Sequence, residues 1–205
     1  MTSSNYEKYQ TGNPLMKVVI QRFLRHLCAR IVELRPATIL DLGCGEGLVA
    51  REIGRQLPNV RYVGIDLSEE VLCTAREMNP TFEFRQGSIF EKSRDTELFD
   101  LVLCVEVLEH LERPDLSLDR IAASTREHAL ISVPWEPYFR LGNFLRGKYL
   151  GSWGNHPEHV QQFSPTSLRD LVSTRFSEVR VETCFPWLIA VGRRQGATSP
   201  GIPGK

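Results

Sequence analysis

The spacing of hydrophobic residues along the chain predicts helices and strands that alternate from residue 14 to residue 182. Apolar positions at helical spacing predict a first helix over 15–34, which ends at Pro36. Short apolar stretches predict five strands and the helices between them: strands 38–42, 61–65, 82–85, 99–105 and 129–133, and helices 46–57, 68–78 and 106–126. Ser164 and Pro165 predict the start of a helix to about residue 175, and strands are expected near 176–183 and 187–192. This alternation indicates a doubly wound α/β fold, in which helices cover both faces of a mostly parallel, seven-stranded sheet.

The length and charge of the chain limit its organisation and its partners. With 205 residues, we predict a single domain over 1–195, with an N-terminal helical cover (1–35), a substrate lid insertion (134–163) and a disordered tail (196–205). Formal net charge is zero, which excludes the broad positive field of a dedicated nucleic-acid binder but leaves room for a local basic patch. The polar N-terminus and the lack of a span of about 20 apolar residues predict a cytoplasmic, soluble protein.

Three glycines stand where the first strand turns into a helix. Gly43, Gly45 and Gly47 have no Cβ atoms, so backbone and ligand can approach each other closely there. A G-x-G-x-G pattern alone also occurs in simple tight turns. Asp66, about 20 residues further on at the end of the second strand, is placed to accept hydrogen bonds from both hydroxyls of a ribose. A nicotinamide cofactor is disfavoured because Asp41 precedes the first glycine and the glycine spacing differs.

Four ordered motifs, within residues 37–135, resemble those of class I S-adenosylmethionine-dependent methyltransferases: 39–47 (ILDLGCGEG), 64–68 (GIDLS), 86–89 (QGSI) and 99–111 (FDLVLCVEVLEHL). The resemblance implies a Rossmann-like fold with its last strand antiparallel and S-adenosylmethionine as cofactor. It implies that the methionine end lies on Asp41 and the glycines, the ribose on Asp66, and the adenine between Leu67, Ser88 and Ile89. The full set of implied cofactor-binding residues is Asp41, Gly43, Cys44, Gly45, Gly47, Asp66, Leu67, Ser88, Ile89 and Val105. Ser88 departs from the family, which more often has Asp at this position.

The segment after the fourth strand contains a candidate metal site. On a helix, positions i, i+3 and i+4 share one face, so Glu106, Glu109 and His110 would converge. Two carboxylates and an imidazole suit Mg²⁺, Mn²⁺ or Zn²⁺. The spacing is similar to that of ubiquinone-pathway O-methyltransferases and small-RNA 2′-O-methyltransferases, and this similarity implies His159 as a fourth ligand. The alternative is a structural or acid–base role without metal, with Glu106, His110 and His159 as candidate catalytic residues.

The lid insertion is aromatic and basic, with Arg140, Arg146 and Lys148 among its charges. Such a segment could close over an apolar acceptor, lie on a membrane surface or bind a phosphate, and it could also be a short helix packed on the sheet edge. We predict O-methylation of a small aromatic or lipid-like acceptor, which could be membrane-associated; nucleic acid is a less favoured partner because the rest of the chain is not basic. The alternatives are an RNA 2′-O-methyltransferase and a regulatory protein that binds the cofactor without turnover.

Overall fold

The structure is a computed structural model that describes residues 14–90, 97–135 and 161–196. Residues 1–13 of the predicted N-terminal cover, most of the predicted lid insertion with His159, and residues 197–205 of the predicted tail lie outside the described residues. Within the described ranges, no helix has both the length and the apolar character needed to cross a bilayer.

The strands form a seven-stranded sheet in the order β3-β2-β1-β4-β5-β7-β6. Their bounds are β1 Thr38–Leu42, β2 Arg61–Asp66, β3 Glu83–Gln86, β4 Phe99–Val105, β5 Thr125–Pro134, β6 Phe176–Cys184 and β7 Trp187–Arg194. Strands β1 to β5 pair in parallel, whereas β7 is antiparallel to both of its neighbours, β5 and β6. The predicted fold, with its last strand antiparallel, is therefore confirmed.

In the part of the chain that the structure describes, five α-helices connect and cover the strands. They are α1 Pro14–Leu34, α2 Leu48–Gln56, α3 Glu69–Met78, α4 Pro114–Ser124 and α5 Pro165–Ser173. Two of them begin at serine caps, as the sequence predicts: the Ser68 hydroxyl accepts from the Val71 N–H, and Ser164 forms a reciprocal capping box with Ser167. These caps satisfy backbone donors that the first turn of a helix otherwise leaves without partners.

The sheet separates two hydrophobic clusters because successive strand residues point to opposite faces. Ile39 packs in the cluster under α1, α2 and α3, whereas its neighbour Leu40 packs in the cluster under α4 and α5. Strands buried on both faces must be apolar throughout, which is why the sequence shows continuous hydrophobic runs there. Each such fully buried side chain stabilises the fold by about 1.5–3 kcal/mol.

The helix predicted over 106–126 is wrong in its first part. Leu108–His110 form a short 3₁₀ helix, and α4 begins only at Pro114. Glu106 has a left-handed backbone, with φ 59°, which interrupts any helix starting at the end of β4. Proline also disfavours helical backbone at the residue before it, and Arg113 accordingly has φ −125° and ψ 72°.

Asp100 joins the amino ends of β1 and β4. Its Oδ2 accepts from the backbone N–H groups of Ala37 (3.0 Å) and Thr38 (2.9 Å), and its Oδ1 accepts from Arg126 at 2.5 Å. Burial by itself would raise the pKa of Asp100, but the hydrogen bonds from Arg126 and Thr38 outweigh it and lower the pKa. The two central strands are thus fixed at one end, and their carboxyl ends are left for the bends and loops that form the site.

Candidate functional site

A bend of positive-φ glycines follows β1. Gly43, Gly45 and Gly47 have φ values of 82°, 52° and 76°, a region that disfavours side chains. The N–H groups of Gly43 and Cys44 both donate to the Ile65 carbonyl, at 2.8 and 3.1 Å. These bonds fix the bend against the end of β2.

The atoms around each glycine show whether it is needed for packing within the protein or faces open space. A Cβ on Gly43 would lie 2.3 Å from Cγ2 of Val107, and one on Gly47 would lie 2.6 Å from the Asn79 amide nitrogen. A Cβ on Gly45 would meet nothing within 4 Å. Gly43 and Gly47 are therefore needed for packing within the protein, whereas Gly45 faces space that a ligand can enter.

Asp66 is held rigidly at the end of β2. Its Oδ2 accepts from the Gly45 N–H at 2.9 Å, and its Oδ1 accepts from the Ser68 N–H at 3.1 Å. A carboxylate has about four acceptor positions, so each oxygen can still accept a ribose hydroxyl. The sequence places Asp66 correctly at the strand end, but its bond to the glycine bend was not predicted.

Asp41 forms a buried pair with Tyr62. The Tyr62 hydroxyl donates to Asp41 Oδ2 at 2.5 Å, and the two residues are only 1% and 2% exposed. Burial raises the pKa of Asp41 to about 6; the Tyr62 hydrogen bond opposes this shift, and the charge of Asp66 adds to it. In the described part of the chain, Asp41 Oδ1 is buried and has no hydrogen-bond partner.

A cavity lies between the carboxyl ends of β1 and β4, where the strand order reverses, which is where open α/β sheets bind ligands. Its lining residues are Asp41, Gly43, Cys44, Gly45, Glu46, Leu48, Val49, Val105 and Glu106. Six of these were predicted as site residues. Glu46, Leu48 and Val49 were missed, although Glu46 lies within the bend and the other two directly follow it, which was a usable signal.

The residues predicted to flank adenine lie outside this cavity, beside the ends of β2 and β3. Leu67 is 68% exposed, Ile89 is buried, and the Ser88 hydroxyl accepts from the Phe90 N–H at 3.1 Å. Phe90, which is 48% exposed, adds apolar surface here, and the sequence motifs did not indicate it. The contacts of these residues, of Gly47 and of Asp66 with a cofactor stay predictions.

Glu106 lines the cavity from the end of β4. Its left-handed backbone costs about 1–2 kcal/mol for a residue with a side chain. A hydrogen bond of 3.0 Å from the Glu106 N–H to the Ser132 carbonyl holds this conformation. Strained residues of this kind cluster at functional sites, where the surrounding structure holds them in place.

The predicted convergence of metal ligands on one helical face is wrong. Glu109 and His110 lie in the 3₁₀ helix, Glu109 is 1% exposed, and His110 Nε2 lies 3.9 Å from Glu109 Oε1. Among the residues that the structure describes, no group of three possible ligands is placed to hold a cation. His159, the fourth predicted ligand and a predicted catalytic residue, is outside those residues.

The described residues on either side of segment 136–160 are bonded to segments at the carboxyl edge of the sheet. The Trp135 N–H donates to the Pro186 carbonyl at 2.9 Å, and Trp135 forms a bridge with Phe163. The Gln161 N–H donates to the Glu109 carbonyl at 3.1 Å. The insertion therefore begins and ends at the carboxyl edge of the sheet.

Comparison with known protein families shows which family the chain belongs to. The family model described as a methyltransferase domain matches residues 17–175, which is most of the 205 residues. The chain belongs to this family. This result confirms the resemblance to class I methyltransferases. A ubiquinone biosynthesis O-methyltransferase from Hahella chejuensis is 37% identical to this methyltransferase domain over 81 residues. That match covers 37% of the chain and 33% of the relative, about a third of its length.

Solved structures support the fold of this methyltransferase domain. The magnesium protoporphyrin IX methyltransferase of Synechocystis PCC 6803, determined with bound S-adenosylhomocysteine, has a TM-score of 0.71 at 16% identity, covering 94% of this chain and 95% of that protein. The plantazolicin methyltransferase BpumL, also in complex with S-adenosylhomocysteine, has a TM-score of 0.71 at 19% identity, covering 94% and 88%. At these identities the similarity concerns the fold.

Proposed function

We propose that this methyltransferase domain binds S-adenosylmethionine at the carboxyl ends of β1 and β2 and transfers its methyl group to a hydroxyl oxygen of a small aromatic or lipid-like acceptor. The observation that supports this most directly is the cavity at the strand-order reversal, which joins the open side of Gly45 to the buried carboxylate of Asp41. The O-methyltransferase name of the Hahella relative supports oxygen as the acceptor atom.

The described residues fit this cofactor part by part. The orphaned oxygen of Asp41 suits the cationic amino group of the methionine end. Asp66 suits the ribose hydroxyls, and the exposed side chains of Leu67 and Phe90 offer apolar surface to adenine. When bound, the cofactor supplies a methyl group already activated by a sulfonium, so the protein mainly has to position the acceptor and remove its proton.

Glu106 is the residue best placed to receive that proton. Glu106 lines the cavity at the end of β4, and its backbone N–H is bonded to β5. His110, on the adjacent 3₁₀ helix, is a second candidate base, since a neutral imidazole nitrogen can accept a proton. The described carboxylates and imidazole are not arranged as ligands of one cation.

The cavity wall favours a small acceptor over RNA. Leu48, Val49 and Val105 make part of it apolar, and the formal net charge of the chain is zero. Nucleic-acid binders neutralise backbone phosphates mainly with lysine and arginine, and the described residues of the wall include neither. The cytoplasmic location expected from the sequence stays a prediction.

The first experiment measures binding and turnover together. Calorimetry with S-adenosylmethionine and S-adenosylhomocysteine tests the cofactor, and labelled methyl transfer to catechols, detergent-dispersed prenylated phenols, RNA oligonucleotides and a cell extract tests the acceptor. We expect a heat of binding with both S-adenosylmethionine and S-adenosylhomocysteine, and transfer of the labelled methyl group to a phenolic acceptor. The absence of heat with both cofactors would reject the function. Label only on RNA, with a steep loss of binding as salt rises, would support the RNA alternative. Cofactor binding without label on any fraction would support a regulatory protein.

A matched pair of variants tests the base. Glu106→Gln should retain S-adenosylhomocysteine binding and lower turnover by about 10²-fold or more, as expected for loss of a general base. Glu109→Gln removes a buried carboxylate from the neighbouring turn, outside the cavity lining, and should retain turnover. An equal loss in both variants would contradict the base role of Glu106 and favour the shared ligand role that the sequence predicts.

A further inference from the structure

The two oxygens of Asp41 have different surroundings. Oδ2 accepts the short hydrogen bond from Tyr62, whereas Oδ1 is buried without a partner in the described part of the chain. Asp41 also lines the cavity beside the glycine bend. A buried polar atom with no partner is costly, so such an atom on a residue that lines a cavity points to a ligand group that completes it.

We propose that Tyr62 is a positioning residue, which holds Oδ2 of Asp41 so that Oδ1 binds the cationic amino group of the methyl donor. This inference rests on the proposed function and deepens it. Tyr62 does not line the cavity, so it acts through Asp41. Removing its hydroxyl should therefore weaken recognition of the amino-acid end of the ligand and spare recognition of the nucleoside end.

Tyr62 is fixed well enough for this task. Its ring stacks on the ring of Phe82, with the centroids 4.9 Å apart, and packs at a tilt against the ring of Phe84, with the centroids 5.9 Å apart. It is 2% exposed, so its hydroxyl cannot turn to water. An aromatic cluster of this kind restricts the ring, and the short hydrogen bond in turn restricts the carboxylate.

The charges around Asp41 favour a cation. Asp66 faces it from the end of β2, and Glu46 and Glu106 line the same cavity from the bend and from β4. Burial raises the pKa values of the Cys44 and Cys104 thiols, which therefore stay neutral. The described lining residues contain no lysine, arginine or histidine. An ammonium group would meet attraction from every charged neighbour.

The pH dependence of binding gives a signature that a structural role would not produce. The Tyr62 hydrogen bond lowers the pKa of Asp41 against the effect of burial, and the resulting pKa is about 6. Protonation of Asp41 removes the charge that attracts the amino group. Affinity for the amino-acid end should therefore fall as pH drops through about 6, and in Tyr62→Phe the fall should begin at higher pH because the carboxyl loses a stabilising donor.

The test compares two ligands on the full chain by calorimetry from pH 5 to 8.5. S-adenosylhomocysteine has the amino-acid end, whereas 5′-methylthioadenosine lacks it. Tyr62→Phe should bind S-adenosylhomocysteine about 10-fold more weakly at pH 7, with its pH midpoint shifted upward, and should bind 5′-methylthioadenosine within about twofold of the unmodified protein. Asp41→Asn should weaken S-adenosylhomocysteine binding and abolish its pH dependence near 6.

Equal losses for both ligands in Tyr62→Phe would show a merely structural role and overturn the inference. If Tyr62→Phe binds S-adenosylhomocysteine with unchanged affinity and an unchanged pH midpoint, the inference about Tyr62 is also overturned, whereas the proposed function still stands. If Tyr62→Phe does not fold, the unmodified protein still decides, because a pH-independent advantage of S-adenosylhomocysteine over 5′-methylthioadenosine would refute the Asp41 contact. Binding of neither ligand by the unmodified protein would reject the proposed function itself.

Discussion

Alanine substitutions at Gly43 and at Gly45 should affect different properties: the first mainly the stability of the fold, and the second mainly ligand binding. Both positions have positive φ, so a Cβ costs about 1–2 kcal/mol of backbone strain at each. At Gly43 the new methyl would also lie 2.3 Å from Cγ2 of Val107, and overpacking of this kind costs about 1–3 kcal/mol. At Gly45 no atom lies within 4 Å. Effects of alanine on the unfolded chain are similar at both positions and cancel in the comparison.

We therefore expect Gly43→Ala to lower the free energy of unfolding by about 2–5 kcal/mol, and Gly45→Ala by about 1–2 kcal/mol. The difference corresponds to roughly 2–12 °C in Tm for a domain of this size. Binding should show the opposite order: the Gly45 methyl would occupy ligand space and weaken S-adenosylhomocysteine binding about 10-fold or more. Urea and thermal unfolding without ligand, followed by calorimetry of the folded variants, measure both quantities.

A third substitution tests the cause of the difference. Val107→Ala removes the methyl that Gly43→Ala would meet, so the double variant should recover about 1 kcal/mol or more relative to additivity. Combined with Gly45→Ala, the same change should be additive. Equal destabilisation of the two glycine variants, within about 0.5 kcal/mol, together with no recovery in the double variant, would refute the packing argument.

Two further changes test other parts of the site. The buried Asn79 amide donates to the carbonyls of Gly47 (3.1 Å) and Ala75 (3.0 Å), so Asn79→Ala should lower the free energy of unfolding by about 1–3 kcal/mol; an unchanged urea midpoint would contradict this role. Because the pKa of Asp41 is raised to about 6 by burial, ionisation above that pH costs native stability, and Asp41→Asn should be more stable than the unmodified protein at pH 8 by up to about 3 kcal/mol. The gain should vanish as pH falls from 6 to below 4; a gain that is constant with pH would have another cause.

The strands could be predicted from the sequence because their cause is local. β1 coincides with its predicted range of 38–42, since a short apolar run between turn residues has few other uses. The glycine bend was predictable for the same reason, because Gly43, Gly45 and Gly47 mark backbone that other residues rarely adopt.

The structure of the segment after β4 could not be predicted from the local sequence. Apolar residues in 105–111 fall at spacings compatible with a helix, yet the left-handed backbone of Glu106 is held by a hydrogen bond to β5, which is distant in sequence. Pro114 was a local signal for the later helix start. Tyr62 and Asn79 were missed because their partners lie 21 and 32 residues away, and only the folded sheet brings each pair together.

The double attachment of Asp66 has a consequence for protein engineering. One of its oxygens closes the glycine bend through Gly45 and the other starts α3 through Ser68, so the side chain is a structural clamp as well as a predicted sugar ligand. A redesign that seeks to accept donor analogues with altered sugars by replacing Asp66 would loosen the loop that must carry them. Changes at neighbours such as Leu67, whose exposed side chain makes no comparable clamp, offer a route that leaves the loop intact.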